Sequence, residues 1–342
     1  MSSPFLSPYP IRTGWSRRRL LAGAAALGGT PLLGACSAPL SPLRLGSIVF
    51  PTYEYAFLAR ELGWLDERQV RLIELPANTY SLRSLAAGQL DACQLTLDEV
   101  LIARAAGIDL AVLLVLDISA GADAVYAREP IALSALRGRR IAVESGAAGA
   151  LMLDGLLQAA GLTPADVRTV PMTLDRSLEL FRSREADLVV TAQPWSTRIE
   201  ADGGVRVYDS RALPNLIVDV LAVRRERLHS HGQILQPLIT ALLQARQHQV
   251  AHPEDAARRM AVRLQLSPSE VPQVYTGLHI PGLAENRTLL ASGGALSTSA
   301  SELLQRMHTH GLLPRRPGVA RPALPNDLFD PHWLPGTLGT PT

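Results

Sequence analysis

Two stretches of this chain repeat one another at a fixed offset, and that duplication limits the fold more than any other feature. Residues 81–96 read SLRSLAAGQLDACQLT and residues 177–192 read SLELFRSREADLVVTA. In each, an amphipathic helix opening on Ser-Leu meets a short turn. An Asp then follows (Asp91 and Asp187), and a short apolar strand completes the unit. Upstream, Val70–Leu75 pairs with Val167–Met172 as a strand. Strands at Leu43–Phe50 and Arg140–Glu144 each feed a helix, at about 54–64 and 148–160. Each unit is strand–helix–strand–helix–strand, the alternation that builds a parallel, doubly wound sheet. Such sheets bind ligands beyond the carboxyl ends of their strands. The fold class expected is therefore α/β, with two doubly wound lobes around a central cleft that opens and closes on a hinge.

With 342 residues the chain is long enough for two such domains. Residues 36–124 and 221–314 are assigned to a first, discontinuous lobe and 125–220 to a second, with crossovers at Gly121–Arg128 and Ile217–Arg224. Helices are expected at 232–251 and 254–265, and helical patterns run over 267–278 and 298–311. The proline-rich stretch 315–342 reads as an extended tail.

The first 35 residues read as an address. Ser16-Arg17-Arg18-Arg19 precedes the apolar run AGAAALGGTPLLGAC: a basic start, a short hydrophobic core and a small-residue exit, as in a bacterial export signal. The arginine pair resembles the twin-arginine pattern, although Sec signals also carry such pairs. Leu33-Gly34-Ala35-Cys36 looks like a lipoprotein exit that would lipidate Cys36 and anchor the protein to the membrane at the periplasmic face; the alternative is an ordinary small residue at a signal end. Cys93 would then stand alone as a buried small hydrophobe. All 33 basic residues are Arg, and four of them (Arg12, Arg17, Arg18 and Arg19) lie in this segment. Subtracting these from 33 leaves 29 Arg against 31 acids, a net charge of −2. That balance offers no electrostatic footprint for nucleic acid.

Positions at strand ends are the candidates for ligand contact. In the first lobe they are Pro51, Thr52, Tyr53 and Glu54, then Asn78, Thr79 and Tyr80, then Thr96, Leu97, Asp98 and Glu99. In the second they are Glu144, Ser145, Gly146 and Ala147, then Gln193, Pro194 and Trp195. Each set stands at a helix start, where free N–H groups meet an anion or acceptor. Asp117, Ser119 and Asp123 precede the first crossing, and Asp219 lies on the second. Asn78, Thr79 and Asp98 read equally as helix caps or first-turn residues. Tyr53 and Trp195 are either core aromatics or cleft walls that stack on a planar or cationic ligand. Asp219, between Val218 and Val220, must be paired or face a polar cleft.

The ordered series LGSIVFPTYEYAFLARELGWLDE, LRSLAAGQLDACQLTLDEVL, VLDISAGADAVYAR, LRGRRIAVESG, VVTAQPW and LIVDVLAVRRERL resembles ABC-transporter substrate-binding proteins of the nitrate/sulfonate/taurine type, grouped also with thiamine-precursor binders. The resemblance covers roughly residues 43–290. It implies the type II periplasmic-binding fold, a hinge of two crossover segments, and delivery of a small-molecule solute, without chemistry, to an ABC permease and its ATPase. A monomer needing no cofactor or metal is expected. Two departures stand out. Ala192-Gln193-Pro194-Trp195 replaces the W-E-P-W that relatives often carry, and no Arg stands at a strand end where sulfonate and nitrate binders need donors. Glu54, Asp98, Glu99, Asp117, Asp123, Glu144 and Asp219 weight the cleft toward a ligand with a cationic or amine end.

No G-x-S-x-G, P-loop, GxGxxG, CxxC or HExxH pattern is present. The pairs His229/His231 and His308/His310 lack an obvious third ligand and read as surface histidines. A thiamine-pyrimidine synthase, the nearest enzyme alternative, needs a cysteine-rich iron motif that Cys93 alone does not supply. A ligand-sensing lipoprotein adaptor is the alternative from another class; neighbouring permease and ATPase genes separate it from a transporter.

Overall fold

A computed structural model of the protein describes residues 41–146, 148–313, 324 and 326–339. The export segment, Cys36 and Ala147 lie outside the described residues. From the first described residues, β1 (Leu43–Ser47), α1 (Glu54–Glu61), β2 (Val70–Glu74), α2 (Asn78–Ala86), β3 (Ala92–Thr96) and α3 (Leu97–Ala105) alternate as the repeat requires. β4 (Leu110–Ser119) follows, and the chain crosses to β5 (Ala124–Ala127). The second lobe continues with β6 (Arg140–Val143), α4 (Ala148–Ala159), β7 (Arg168–Pro171), α5 (Ser177–Ser183), β8 (Leu188–Thr191), α6 (Trp195–Ala201) and β9 (Val205–Asp209). The chain returns to β10 (Val218–Arg224), α7 (Arg225–Ser230), α8 (Gly232–Ala251), α9 (Pro253–Leu264), β11 (Leu278–His279), α10 (Leu283–Leu289) and α11 (Ala295–Thr309).

The two sheets run β11-β4-β10-β3-β1-β2 and β7-β6-β8-β5-β9. β2-β1-β3 and β7-β6-β8 are matching parallel trios. Beside each trio lies an antiparallel strand that has come from the other lobe, β10 against β3 and β5 against β8. Each sheet is therefore mixed, because a strand entering from across the hinge runs opposite to strands that each return over a helix.

The repeated Asp explains why the duplication shows in the sequence. Asp91 accepts from the backbone N–H of Arg44 at 3.0 Å and from its guanidinium at 2.8 Å. Asp187 accepts from the N–H of Arg140 at 2.8 Å and from its guanidinium at 3.0 Å. Arg and Asp are 47 residues apart in both lobes, so one side-chain clasp ties the first strand to the third strand's entry twice over. The guanidinium also caps the preceding turn, at Gly88 O in one lobe and Arg184 O in the other. Both turn residues are left-handed, Gly88 at φ 69° and Arg184 at φ 61°.

Several expectations need correction. Ile217–Arg224 is not a crossover: Val218–Arg224 is an interior strand of the first sheet, and the return crossing occupies residues 210–217. An apolar run buried on both sides looks the same whether it crosses or pairs. The first crossing is confined to residues 120–123, since Ala124–Ala127 already pairs with β8 and β9. Over 267–278 Pro268 and Pro272 interrupt the helical pattern, leaving a short 3₁₀ turn at Val271–Tyr275 before β11. Part of the tail docks: Leu328 and Leu334 are buried, and Phe329 bridges Val112 of β4. His231 is buried rather than at the surface, its ring nitrogens meeting Ser230 and the carbonyl of Ser41.

Arg184→Gly relieves a left-handed non-glycine residue, for which the steric cost is roughly 1–2 kcal/mol, offset in part by the extra freedom of Gly in the unfolded chain. Urea denaturation is expected to show a gain of up to about 1 kcal/mol. Asp91→Ala is expected to cost about 2–3 kcal/mol, the scale of lost charge-assisted hydrogen bonds, and more than Asp187→Ala, because Asp91 also pairs with Arg227 at 2.8 Å.

Candidate functional site

The carboxyl ends of both parallel trios face a cavity of about 50 Å³ between the lobes. Its first-lobe wall is Ile48, Phe50, Tyr53, Asn78, Thr96 and Asp219, with Asp123 from the crossing. The second-lobe wall is Glu144, Ala148, Gly149, Leu174, Val190, Thr191 and Ala192. Ile48 and Glu144 occupy equivalent places after β1 and β6, so the duplication contributes an apolar and an acidic version of one position.

Asp219 comes to the cavity on β10, whose antiparallel register with β4 sets Asp117 opposite it. Both are buried. Thr52 donates its hydroxyl to Asp117 and Tyr53 its phenol to Asp219. Burial pushes the Asp117 carboxyl up to about 7, and burial together with the neighbouring Asp117 charge pushes Asp219 well above the carboxylate range. Burial likewise raises Asp98 and Asp123 to about 6, and Glu99 well above its usual value with the Asp98 charge adding to it. Glu99 accepts from Asn78 Nδ2 at 2.8 Å and from the Thr96 N–H at 2.9 Å. That leaves Asn78 Oδ1, Glu99 Oε1 and Asp98 Oδ1 buried with no donor beside them.

Among the described residues, polar contacts join the lobes across the cleft at three places. Glu144 of the second lobe accepts from the backbone N–H (3.2 Å) and hydroxyl of Thr79 in the first, and its other oxygen takes the N–H of Leu174 at 2.9 Å. Asp154 on α4 pairs with Arg306 of α11 at 2.8 Å and with His310, just past the end of that helix, at 3.0 Å. Arg198 on α6 donates to the carbonyl oxygens of Leu264 and Gln265 at the end of α9. Behind the cavity, Ser210 holds the two crossings together through Ser119 Oγ (2.8 Å) and the Gly121 N–H (2.7 Å). Gly277 lies against this joint, where a Cβ would come within 2.8 Å of the backbone of Gly121 and Ala122.

The candidates from sequence divide accordingly. Tyr53, Asn78, Thr96, Glu144 and Asp219 line the central cavity. Thr52, Glu99 and Asp117 form a second layer that bonds to it or stands beside it, Thr79 latches it, and Ser119 ends β4 and ties it to the return crossing through Ser210. Asp98, Ser145 and Gly146, again with Glu144, line a separate hollow of about 630 Å³ between α3, α4 and α11. Glu54 does not reach the cavity: it is buried against Arg263 at 2.8 Å, and burial against that attraction leaves its carboxyl at about 7. Trp195 turns to an outer groove of about 970 Å³, and Gln193 accepts from Thr197 at 2.8 Å. Thr191, Leu174, Ala148 and Gly149 went unnoticed, and Ser210 with them. They follow apolar or turn sequence without charge, and only the packing of one lobe on the other gives them a role.

Residues 37–265 match the NMT1-like family. The chain belongs to that family. Its fold is similar to the alkanesulfonate-binding protein SsuA from Xanthomonas axonopodis pv. citri bound to MOPS (19% identity, TM-score 0.68, covering 82% of this chain and 96% of that one). It is also similar to the periplasmic aliphatic sulphonate binding protein SsuA from Escherichia coli (17%, 0.68, 87% and 95%). A third is the periplasmic nitrate-binding protein NrtA from Synechocystis PCC 6803 (12%, 0.62, 81% and 83%). No curated sequence matches the chain. This NMT1-like protein thus has the two-lobed periplasmic-binding fold.

The raised carboxyls set the pH response of the fold. Each retains its proton to a higher pH folded than unfolded, so its stabilising contribution is full below about pH 4 and is lost as pH rises through 6 and 7. Thermal unfolding of the solute-free protein is expected at lower temperature at pH 8 than at pH 5. Asp219→Asn, which cannot ionise, should flatten that slope; an unchanged slope contradicts the assignment.

Proposed function

We propose that this chain is the extracytoplasmic solute-binding component of an ABC importer. It captures a small organic solute between its lobes by hinge closure and hands it to a permease driven by its ATPase. The observation that carries this reading is the polar cavity at the facing strand ends, closed by Glu144 of one lobe on Thr79 of the other. Burial of a solute at such a joint makes closure depend on the solute, which is what capture followed by release requires. The fold's likeness to proteins named as sulfonate- and nitrate-binding, two of them named as periplasmic, supports the same role. We read the protein as a monomer without catalytic activity, exported by the N-terminal signal and held at the periplasmic face by lipid on Cys36.

Native mass spectrometry of protein purified from its own host tests the reading directly, with a stoichiometric small molecule expected. A mass equal to that of the denatured, covalently processed chain, together with no thermal stabilisation by any solute class, overturns it. Thr79→Ala removes one donor of the Glu144 latch, a hydrogen bond to a charged group worth roughly 1.5–3 kcal/mol. Retention of the co-purifying solute should weaken by about tenfold or more, without loss of the folded state by circular dichroism.

A further inference from the structure

The cavity side chains form an unusual set: three carboxyls (Asp123, Glu144, Asp219), three hydroxyls (Tyr53, Thr96, Thr191) and one amide (Asn78), with no arginine or histidine. The sequence contains no lysine. Guanidiniums at the edge of the cleft are committed elsewhere, Arg263 to Glu54 and Glu74 and Arg198 to the carbonyls of Leu264 and Gln265. The Tyr53 phenol is spent on Asp219 and one N–H of the Asn78 amide on Glu99. The Asn78 carbonyl oxygen is buried, lines the cavity and has no donor beside it. An anion placed here would meet acceptors; a group rich in N–H would satisfy them.

Asp219 and Asp117 cannot both be charged side by side in a dry site without a counter-cation. The titratable groups around the pair are acidic or neutral: Tyr53 ahead of α1, Tyr55 on α1, Glu99 on α3, Asp123 on the crossing, Tyr275 in the 3₁₀ turn, and Glu144 from the second lobe. We infer that the cleft selects a compact cationic amine or amidine and exchanges it for a proton held by the Asp117–Asp219 pair. In that exchange the protonated carboxyl of Asp219 gives its proton to solvent as the ammonium or amidinium takes its place, and the net charge of the site is unchanged. The cavity's 50 Å³ admits only a few non-hydrogen atoms, which favours a small cationic head.

This inference rests on the solute-capture reading, and its test separates the two. Thermal shift and calorimetry would use ethylammonium, putrescine and guanidinium as cations, ethanesulfonate and nitrate as anions, and taurine, which carries both charges. At least one cation is expected to stabilise the protein while ethanesulfonate and nitrate do not. Its affinity should rise by about tenfold per pH unit between pH 5 and 7, the slope of one proton released per cation bound. Titrations in two buffers of different ionisation enthalpy should count that proton in the unaltered protein. Asp219→Asn should abolish the pH slope and weaken cation binding. An anion that binds where no cation does overturns the cationic assignment, and cation binding with no proton released overturns the exchange; either result leaves capture standing. If no probe binds, the assignment falls; capture survives only if native mass spectrometry still finds a bound solute.

Discussion

The pairing of β4 with β10 is the constraint on which the rest of the structure depends. These two strands lead into the first crossing and out of the second, so their ladder fixes both hinge segments side by side. The same register sets Asp117 against Asp219 at the end of the ladder that faces the cleft. Mechanical joint and carboxyl pair are therefore one element: a slip of one residue would turn the carboxyls to the opposite face and misplace the crossings together.

Around that element the acids are held by different means. Asp91, Asp187 and Asp154 have guanidinium partners and serve the fold or the joint between lobes. Asp117, Asp123 and Asp219 have hydroxyls, a crossing strand and one another. Burying a carboxyl without a cation costs several kcal/mol unless it keeps its proton. The fold tolerates this where the lobes meet, and among the described residues no arginine pairs with those groups. That placement distinguishes the cleft from the salt-bridged surface, and it is the basis for reading the cleft as a cation site within a fold shared with proteins named for anions.

Sequence alone determined the two-lobe α/β plan, because the duplicated helix–turn–Asp–strand unit depends on local periodicity and on one clasp that recurs with the same spacing. It also placed Tyr53, Asn78, Thr96, Glu144 and Asp219 at strand ends, where a doubly wound sheet must expose them. Tertiary structure alone decided which polar strand-end residues face one another. Glu54 and Asp219 look alike in sequence, yet Arg263, arriving on α9 from more than two hundred residues away, takes Glu54 out of the cleft. The run Val218–Arg224 gives no hint whether it crosses or pairs, since an apolar strand buried on both faces has no period to read. Local pattern sets what each segment becomes; which carboxyls are left without a cation depends on contacts between segments far apart in the chain, and those exist only once the chain has folded.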